Sequence, residues 1–171
     1  MSEQESPARG IEPVTAPEQL RRAFGYFPSG AAALCAQLDG EPMGLAASSF
    51  ASVSTQPPLV AAYLPLTSTS WPALRRRPRL GVSVLAEDQE EIRARLASEK
   101  GDRFAGTDWF TGRGGGVFLK GATVWLDCSI YEEVTYGDHV MVLLYVNGLS
   151  VAPDTSPLVV HTDNPRRPAG T

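Results

Sequence analysis

The stretch that decides the fold is Gly44-Leu45-Ala46-Ala47-Ser48-Ser49-Phe50-Ala51-Ser52-Val53-Ser54, followed shortly by Pro57-Pro58-Leu59. Eight of its first eleven residues are Gly, Ala or Ser, and the pattern predicts that a strand ends here and passes into a turn. Small residues let another molecule approach the backbone closely. Serine hydroxyls and free backbone N–H groups bind phosphate or the polar edge of a ring. The stretch therefore favours either a ligand-binding segment or a plain Ala/Ser-rich strand end.

The composition favours one globular domain. The chain has 171 residues, of which 43% are hydrophobic, and a formal net charge of -4, so it has no general attraction to nucleic acid or anionic membranes. No apolar run approaches the roughly 20 residues of a membrane-spanning helix. The first 22 residues are polar and hold three prolines, unlike a signal peptide. We therefore expect a cytoplasmic protein that binds neither nucleic acid nor membranes.

The cysteines and histidines do not predict a metal site. Cys35 and Cys128 each lie in an apolar, strand-like run, which favours two buried free thiols over a disulfide in a cytosolic chain. His139 and His161 are scattered and match no ligand spacing.

Most of the chain has the pattern of strands. Thr15-Ala16-Pro17-Glu18 predicts a capping box with Thr15 as N-cap, opening a first helix, and Asp39-Gly40 predicts a hairpin turn. Two short helices are expected, one opened by Ser70-Trp71-Pro72 and ending near Arg77, the other over 87–96. Strands are expected over 31–38, 42–49, 59–64, 80–85 and 158–160, with two long strands whose inner faces carry Val124, Leu126, Cys128, Ile130 and Val140, Val142, Leu144, Val146. Six or seven strands with few helices predict a mainly β fold, a barrel or a sandwich.

Domain boundaries follow from the same pattern. Residues 1–14 and 163–171 are expected to be flexible tails, and residues 15–162 one domain. The segment 100–116 is expected to be a loop, because it is rich in glycine and precedes an apparent strand rather than the helix of a dinucleotide-binding motif.

Two charged motifs each have a structural and a functional interpretation. The cluster Arg75-Arg76-Arg77 with Arg79 suits a helix C-terminus, or it contacts a cofactor phosphate. His139 follows Gly137-Asp138 at the start of a strand, where it is structural or faces a ligand pocket at a barrel mouth. No acid–base pair of carboxylates and no P-loop or Gly-x-Ser-x-Gly elbow is found in the sequence.

Taken together and in order, these pieces resemble the flavin reductase-like family with the FMN-binding split-barrel fold, over roughly residues 18–162. The likeness is greatest to the short-chain flavin reductase components of two-component monooxygenases. The motifs that carry it are Phe27-Pro28-Ser29-Gly30, the stretch from Ala47 to Ser54, Pro57-Pro58-Leu59, Asp102-Arg103-Phe104, Gly137-Asp138-His139 and Pro157-Leu158-Val159-Val160-His161.

The resemblance implies a split β-barrel with a few short flanking helices, assembled as a homodimer with flavin near the interface. It implies that Ser29 and the backbone of Ala46, Ala47, Ser48 and Ser49 line the isoalloxazine ring. The remaining implied contacts are Ser54, Ser68, Thr69 and Ser70 to the phosphate, Phe104 and His139 to the nicotinamide, and His161 to the flavin edge.

The implied activity is transfer of a hydride from NADH or NADPH to FMN or FAD, with reduced flavin passed to a partner monooxygenase. This chemistry suits a site without acid–base residues, because the two cofactors carry it and the protein stacks their rings. The alternative is a flavin-binding carrier or sensor without turnover. A third possibility, an oxidase of the pyridoxamine-phosphate type, is disfavoured by the Gly-Asp-His motif.

Overall fold

The computed structural model describes residues 10–160, which divide into an N-terminal segment, 10–28, and a compact unit, Ser29–Val160. The predicted tail 163–171, most of the predicted tail 1–14, and His161 lie outside the described residues. Among residues 10–160 no helix is long and apolar enough to cross a bilayer.

The N-terminal segment carries helix α1, Pro17–Phe24. The predicted capping box was wrong by one residue, because the N-cap is Ala16 and the capping side chain is Gln19. Its Oε1 accepts the backbone N–H of Thr15 at 2.8 Å and of Ala16 at 3.0 Å. Glu18 instead pairs with Arg21 at 3.3 Å, so the amide of Gln19 rather than the carboxylate of Glu18 satisfies the backbone N–H groups of the N-cap and of the residue before it.

The unit Ser29–Val160 contains nine strands and two short helices. Their bounds are β1 Ser29–Leu38, β2 Glu41–Thr55, β3 Pro58–Pro65, α2 Trp71–Leu74, β4 Leu80–Val84, α3 Glu90–Ala97, β5 Trp109–Thr111, β6 Val117–Leu119, β7 Val124–Tyr136, β8 His139–Val151 and β9 Val159–Val160. Both helices are shorter than the sequence predicts, and β5 and β6 form a small hairpin inside and just after the segment that was predicted to be a loop.

Six of these strands close into an antiparallel barrel. The order is β2-β3-β8-β7-β4-β1, and β1 pairs back to β2, while β9 pairs with the start of β1. The predicted mainly β barrel is confirmed. Because every barrel strand has a neighbour on both sides, its backbone donors and acceptors are paired without an open edge.

The predicted turn between β1 and β2 is confirmed at Asp39-Gly40. Both residues have positive φ, 52° and 84°, and Leu38 faces Glu41 across the turn. A two-residue turn with this backbone matches the twist of the flanking strands, which fixes the register of β1 against the small-residue stretch of β2.

The predicted inner faces of the two long strands are also confirmed. All eight alternating residues belong to the core cluster or pack against it, because alternate side chains of a strand point to the same face. The core is completed by Leu34, Leu80 and Val82 from the neighbouring strands β1 and β4.

The stretch from Gly44 to Ser54 is not a strand end, and that prediction was wrong. Strand β2 continues through it to Thr55 because β1 and β3 supply ladder partners on either side. The register shifts twice along β2. Ala32 faces Ala47 and Gly30 faces Phe50, so Ser48 and Ser49 together oppose the single residue Ala31. This is a β-bulge, which bends a strand and redirects its side chains.

Candidate functional site

A cavity of about 360 Å³ lies beside this bulge; we call it the main cavity. Its walls come from β2, the end of β3, the loop before α2, the C-terminal end of α3, one arginine of the following loop and the first residue of β8. The residues that line it are Leu45, Ala46, Ala47, Ser48, Ser49, Tyr63, Leu64, Pro65, Thr67, Ser68, Thr69, Ser70, Leu96, Ala97, Glu99, Arg103 and His139. The structure thus brings together eight of the residues singled out from the sequence.

The bulge shapes the wall that β2 contributes. An extra residue interrupts the regular ladder, and the hydroxyl of Ser29 donates a hydrogen bond to the backbone carbonyl of Ser48. Ser29 does not line the cavity itself, but it satisfies the bulged carbonyl from the neighbouring strand. Ala46 and Ala47 carry nothing beyond Cβ, so a flat ring can lie close to this part of the strand.

The loop Thr67–Ser70 supplies a second wall that is rich in hydroxyl groups. The carbonyl of Asp138 accepts the backbone N–H of Leu66 at 3.0 Å, and the hydroxyl of Ser68 accepts that of Trp71 at 3.3 Å. Through these bonds the loop is tied both to the β7–β8 turn and to α2.

Helix α2 is fixed in turn by Glu133 of β7. The indole N–H of Trp71 donates to Glu133 at 2.8 Å, and the Arg75 guanidinium donates to it at 2.6 Å. A bulge at Tyr131, where Ile130 faces Leu144 and Glu132 faces Leu143, brings Glu133 to the side of the sheet that carries the core. The loop Thr67–Ser70 is therefore anchored at both ends.

Among residues 10–160, Arg103 is the one lysine or arginine that lines the main cavity. Its Nη1 donates to the backbone carbonyl of Gly44 at 3.1 Å and to the hydroxyl of Ser70. In the part of the chain that the structure describes, the other ionisable side chains that line this cavity are Glu99, His139 and the phenol of Tyr63.

His139 lies at the predicted strand start and faces the main cavity. It opens β8, opposite Pro65 of β3 and Tyr136 of β7. Its Nδ1 is 2.8 Å from the carboxylate of Asp138, which orients the ring, and 47% of its side chain remains exposed. The imidazole is thus held on one side and open to a ligand on the other.

Besides Ser29, two predicted site residues, Phe104 and Ser54, do not line the main cavity. Phe104 packs against a second core cluster and lines an adjoining cavity of about 270 Å³, so it holds its loop against the barrel. The second core cluster consists of Ala31, Ala33, Cys35, Leu85, Leu96, Val117, Leu119 and Val160. Ser54 lies at the far end of β2, where its hydroxyl accepts the N–H of Gln56 at 3.2 Å. His161 is outside the described residues.

The arginine cluster lies away from both cavities. Arg75 pairs with Glu133 at 2.6 Å and Arg79 with Asp127 at 3.4 Å, so these two residues attach the segment after α2 to β7. No residue of the cluster lines the main cavity, and the geometry gives no support to a cofactor contact there.

Sequence reasoning missed the end of β3, the end of α3 and Arg103. Tyr63, Pro65 and Glu99 carry no local signal, because only the folded barrel brings them to the cavity. Arg103 stood inside a motif that was noted for its neighbour Phe104. No local signal marks Arg103 as a cavity residue, because its partners Ser70 and Gly44 are 33 and 59 residues away in the sequence.

Neither cysteine is an activated nucleophile, and neither lines the main cavity. Cys35 is fully buried and its thiol pKa is raised by burial, while burial first and the nearby Asp127 carboxylate second raise the pKa of Cys128 to about 12. Over residues 10–160 no group of three or more His, Cys, Asp or Glu side chains could hold a metal ion. What the arrangement offers is binding: small residues, hydroxyls, one guanidinium and one imidazole.

Comparisons with known proteins agree on one family. The model of the flavin reductase like domain matches residues 24–169. The flavin reductase of Pseudomonas putida is 35% identical over 146 residues, covering 85% of this chain and 86% of that protein. The reductase subunit HsaB of a flavin-dependent monooxygenase from Rhodococcus jostii is 37% identical, covering 85% of this chain and 74% of that protein.

A solved structure extends the likeness to three dimensions. It is that of the NADH:FAD oxidoreductase SgcE6 of Streptomyces globisporus in complex with NAD and FAD fragments. The TM-score is 0.82 at 32% identity, and the match covers 92% of this chain and 98% of that one.

Proposed function

Because the chain belongs to the flavin reductase-like family, we propose that it is an NAD(P)H:flavin oxidoreductase that supplies reduced flavin to a separate monooxygenase. The observation that carries this proposal is the main cavity, which has small residues, hydroxyls and, among residues 10–160, a single carboxylate, that of Glu99, on its walls. The relatives named as reductase subunits of monooxygenases support the partner.

The donor set of the main cavity fits a flavin and a nicotinamide. A volume of about 360 Å³ lies within the range of small-molecule sites. We assign Ala46, Ala47 and the bulged Ser48–Ser49 to the isoalloxazine ring, with Ser29 supporting the bulge. The hydroxyls of Ser68, Thr69 and Ser70 are assigned to a phosphate group.

The protein's part in the reaction is to position the flavin and nicotinamide rings and to exclude water. When a nicotinamide and a flavin are both bound, the two cofactors supply the chemistry, which is hydride transfer from the nicotinamide C4 to the flavin N5. The alanines of β2 admit a flat ring against the strand, and the hydroxyl donors favour negative charge beside them. His139, held by Asp138, is assigned to pack against the nicotinamide and fix the distance between the rings.

An apolar outer face supports a homodimer. Val60, Ala62 and Leu64 of β3 contribute to the core, so the alternating residues Leu59, Ala61 and Tyr63 lie on the other side of the strand. There Leu59 and Ala61 are already buried within the chain, and Tyr63 is exposed. On β8 their cross-strand partners are Tyr145, Leu143 and Met141. Tyr63 is 42% exposed and Tyr145 is 36% exposed. We propose that this face meets the same face of a second copy, since aromatic residues are enriched at such interfaces.

The dimer is tested by light scattering at micromolar concentration. We expect twice the mass of the chain for the wild type and a shift toward the monomer for Tyr145→Arg. A wild-type monomer with full activity would contradict the dimer.

The reductase assignment is tested by adding NADH or NADPH to the pure protein with FMN or FAD. A reductase is expected to lower the NAD(P)H absorbance at 340 nm only when flavin is present. Bound flavin without NAD(P)H oxidation would instead favour the carrier or sensor. Transfer to a partner is tested by adding a flavin-dependent monooxygenase and measuring product formed per NADH consumed.

A further inference from the structure

A cavity of about 430 Å³ lies between the β5–β6 hairpin, the start of β7 and the end of β8; we call it the aromatic cavity. Three aromatic side chains line it, those of Phe110, Phe118 and Trp125. No described residue lines both this cavity and the main cavity. His139 opens β8 at the main cavity, and Leu149 lines the aromatic cavity ten residues later on the same strand, a separation of about 30 Å along the strand. The two cavities are therefore separate sites.

The aromatic rings are held in place by the hairpin itself. Phe110 and Phe118 face each other across the β5–β6 ladder and stack with their centroids 5.3 Å apart, and the centroid of Phe110 lies 6.3 Å from that of Trp125. The indole N–H of Trp125 donates to the carbonyl of Leu119 at 2.7 Å. A Cβ at Gly112 would lie 2.6 Å from the Phe118 ring, so this glycine lets the ring pack on the hairpin backbone. The walls are therefore preformed, and such walls favour a flat ring.

Asp127 gives the aromatic cavity a carboxylate with unused acceptor capacity. Its Oδ2 lies 3.4 Å from Nη1 of Arg79, and 30% of its side chain is exposed. Its Oδ1 has no hydrogen-bond partner among residues 10–160, whereas a carboxylate can accept about four hydrogen bonds. Because the guanidinium of Arg79 already offsets the negative charge, the carboxylate favours a neutral O–H or N–H donor over a second cation.

Gly148 keeps the space beside this carboxylate open. It lies directly across the β7–β8 ladder from Asp127, so a side chain at this position would lie on the same side of the sheet as the carboxylate. A Cβ at Gly148 would meet no heavy atom within 4 Å. Next to the gap, Phe110 is 43% exposed and Leu149 is 68% exposed. A ring that enters the gap therefore covers apolar surface that the chain leaves in water.

From this geometry we infer that the aromatic cavity binds a neutral, flat aromatic molecule that carries an O–H or N–H donor, such as a phenol or an indole. The ring packs against Phe110 and Trp125, and the donor forms a hydrogen bond with the carboxylate of Asp127. A cavity of about 430 Å³ is of the size that small-molecule ligands occupy. The site is independent of the flavin and nicotinamide assigned to the main cavity, so its ligand binds whether or not the protein is a reductase.

Two probes with the same ring system test the site by isothermal titration calorimetry. The probe 2-naphthol carries an O–H donor, and 2-methoxynaphthalene has none. We expect both to bind the wild type, with 2-naphthol bound about 5- to 10-fold more tightly, as for one hydrogen bond. Asp127→Ala should remove this preference and change the affinity for 2-methoxynaphthalene by less than about twofold. A third probe, benzyltrimethylammonium, is an aromatic cation without a donor and should bind more weakly than 2-naphthol.

Variants of the cavity wall locate the bound probe. Gly148→Leu fills the gap beside Asp127 and should weaken binding of both naphthalenes by about 10-fold or more. Val151→Leu is the matched control, because Val151 is exposed near the same end of β8 and does not line the cavity. Phe110→Ala removes an exposed ring without crowding the strand and should also weaken both probes. Ser49→Tyr, which alters the main cavity, should leave both affinities unchanged. Circular dichroism confirms that each variant is folded.

Several results would overturn this assignment. One is that neither naphthalene binds the wild type, and another is that both bind it with equal affinity. A loss of 2-naphthol binding in Ser49→Tyr but not in Gly148→Leu or Phe110→Ala would place the probe in the main cavity. Tighter binding of benzyltrimethylammonium than of 2-naphthol would make the site one for cations. If no probe binds and Gly148→Leu lowers the mass measured by light scattering, a second copy of the chain covers the cavity instead.

Discussion

A methyl group added at Gly44 tests why β2 carries a glycine facing the second core cluster. A Cβ at this position would overlap the Cys35 sulfur, which lies directly across the β1–β2 ladder, and would come within 3.1 Å of the Phe104 ring and 3.2 Å of the Leu34 carbonyl. The atoms that approach this glycine closely therefore belong to the protein itself and not to a bound ligand. Overpacking of a buried site costs about 1–3 kcal/mol.

We therefore expect Gly44→Ala to lower the free energy of unfolding by about 2 kcal/mol and the melting temperature by roughly 4–8 °C. Gly30→Ala is the matched control on the neighbouring strand, since the nearest atom to its added Cβ is the Phe50 carbonyl at 3.8 Å, an ordinary contact. Urea unfolding followed by circular dichroism measures both variants.

The double variant Gly44→Ala with Cys35→Ala identifies the cause. Removing the sulfur makes room for the new methyl, so the two changes together should cost about 1–2 kcal/mol less than the sum of the single changes. Simple additivity, or a Gly44→Ala variant as stable as Gly30→Ala, would refute the explanation by overlap with Cys35.

Three further outcomes are expected. Ser49→Tyr places a phenol at the bulge and should abolish flavin binding in a titration while the protein stays folded, so unchanged affinity would remove this part of β2 from the site. His139→Ala should slow reduction of pre-bound flavin by NADH about 10- to 30-fold in stopped flow and change flavin affinity less; an unchanged limiting rate and NADH dependence would place His139 outside the nicotinamide pocket. Cys35 and Cys128 should resist iodoacetamide at pH 8 and react once urea is added, as read by mass spectrometry, because burial raises both thiol pKa values.

The strands could be predicted because their inner faces alternate strictly. Val140, Val142 and Leu144 all reach the core, and Asp39-Gly40 specifies its turn locally. These features depend only on neighbours in sequence. The composition of the small-residue stretch likewise indicated a ligand-binding segment. Part of the stretch lines the main cavity, its binding of a ligand stays a prediction, and its continuation as a strand was missed.

The parts that could not be predicted depend on distant partners. The bulge at Ser48–Ser49 exists only relative to β1, and the hydroxyl that satisfies it is 19 residues away. Arg103 meets Ser70 across 33 residues and Gly44 across 59. At α1, Gln19 and Glu18 are neighbours with similar capping ability, and the sequence does not decide between them.

The closed order of the barrel strands has a consequence for folding kinetics. Three ladders, β1–β2, β2–β3 and β7–β8, join strands that follow one another directly in the chain, and hairpins of this kind form within about 1–10 μs. The ladders β3–β8, β4–β7 and β1–β4 join strands that are far apart in sequence, so their loop-closure entropy must be overcome before any of their contacts form. Closure of the barrel through these three long-range ladders should therefore set the folding rate. In a pulse-labelling experiment, amides of the β7–β8 hairpin should become protected from exchange before those between β1 and β4.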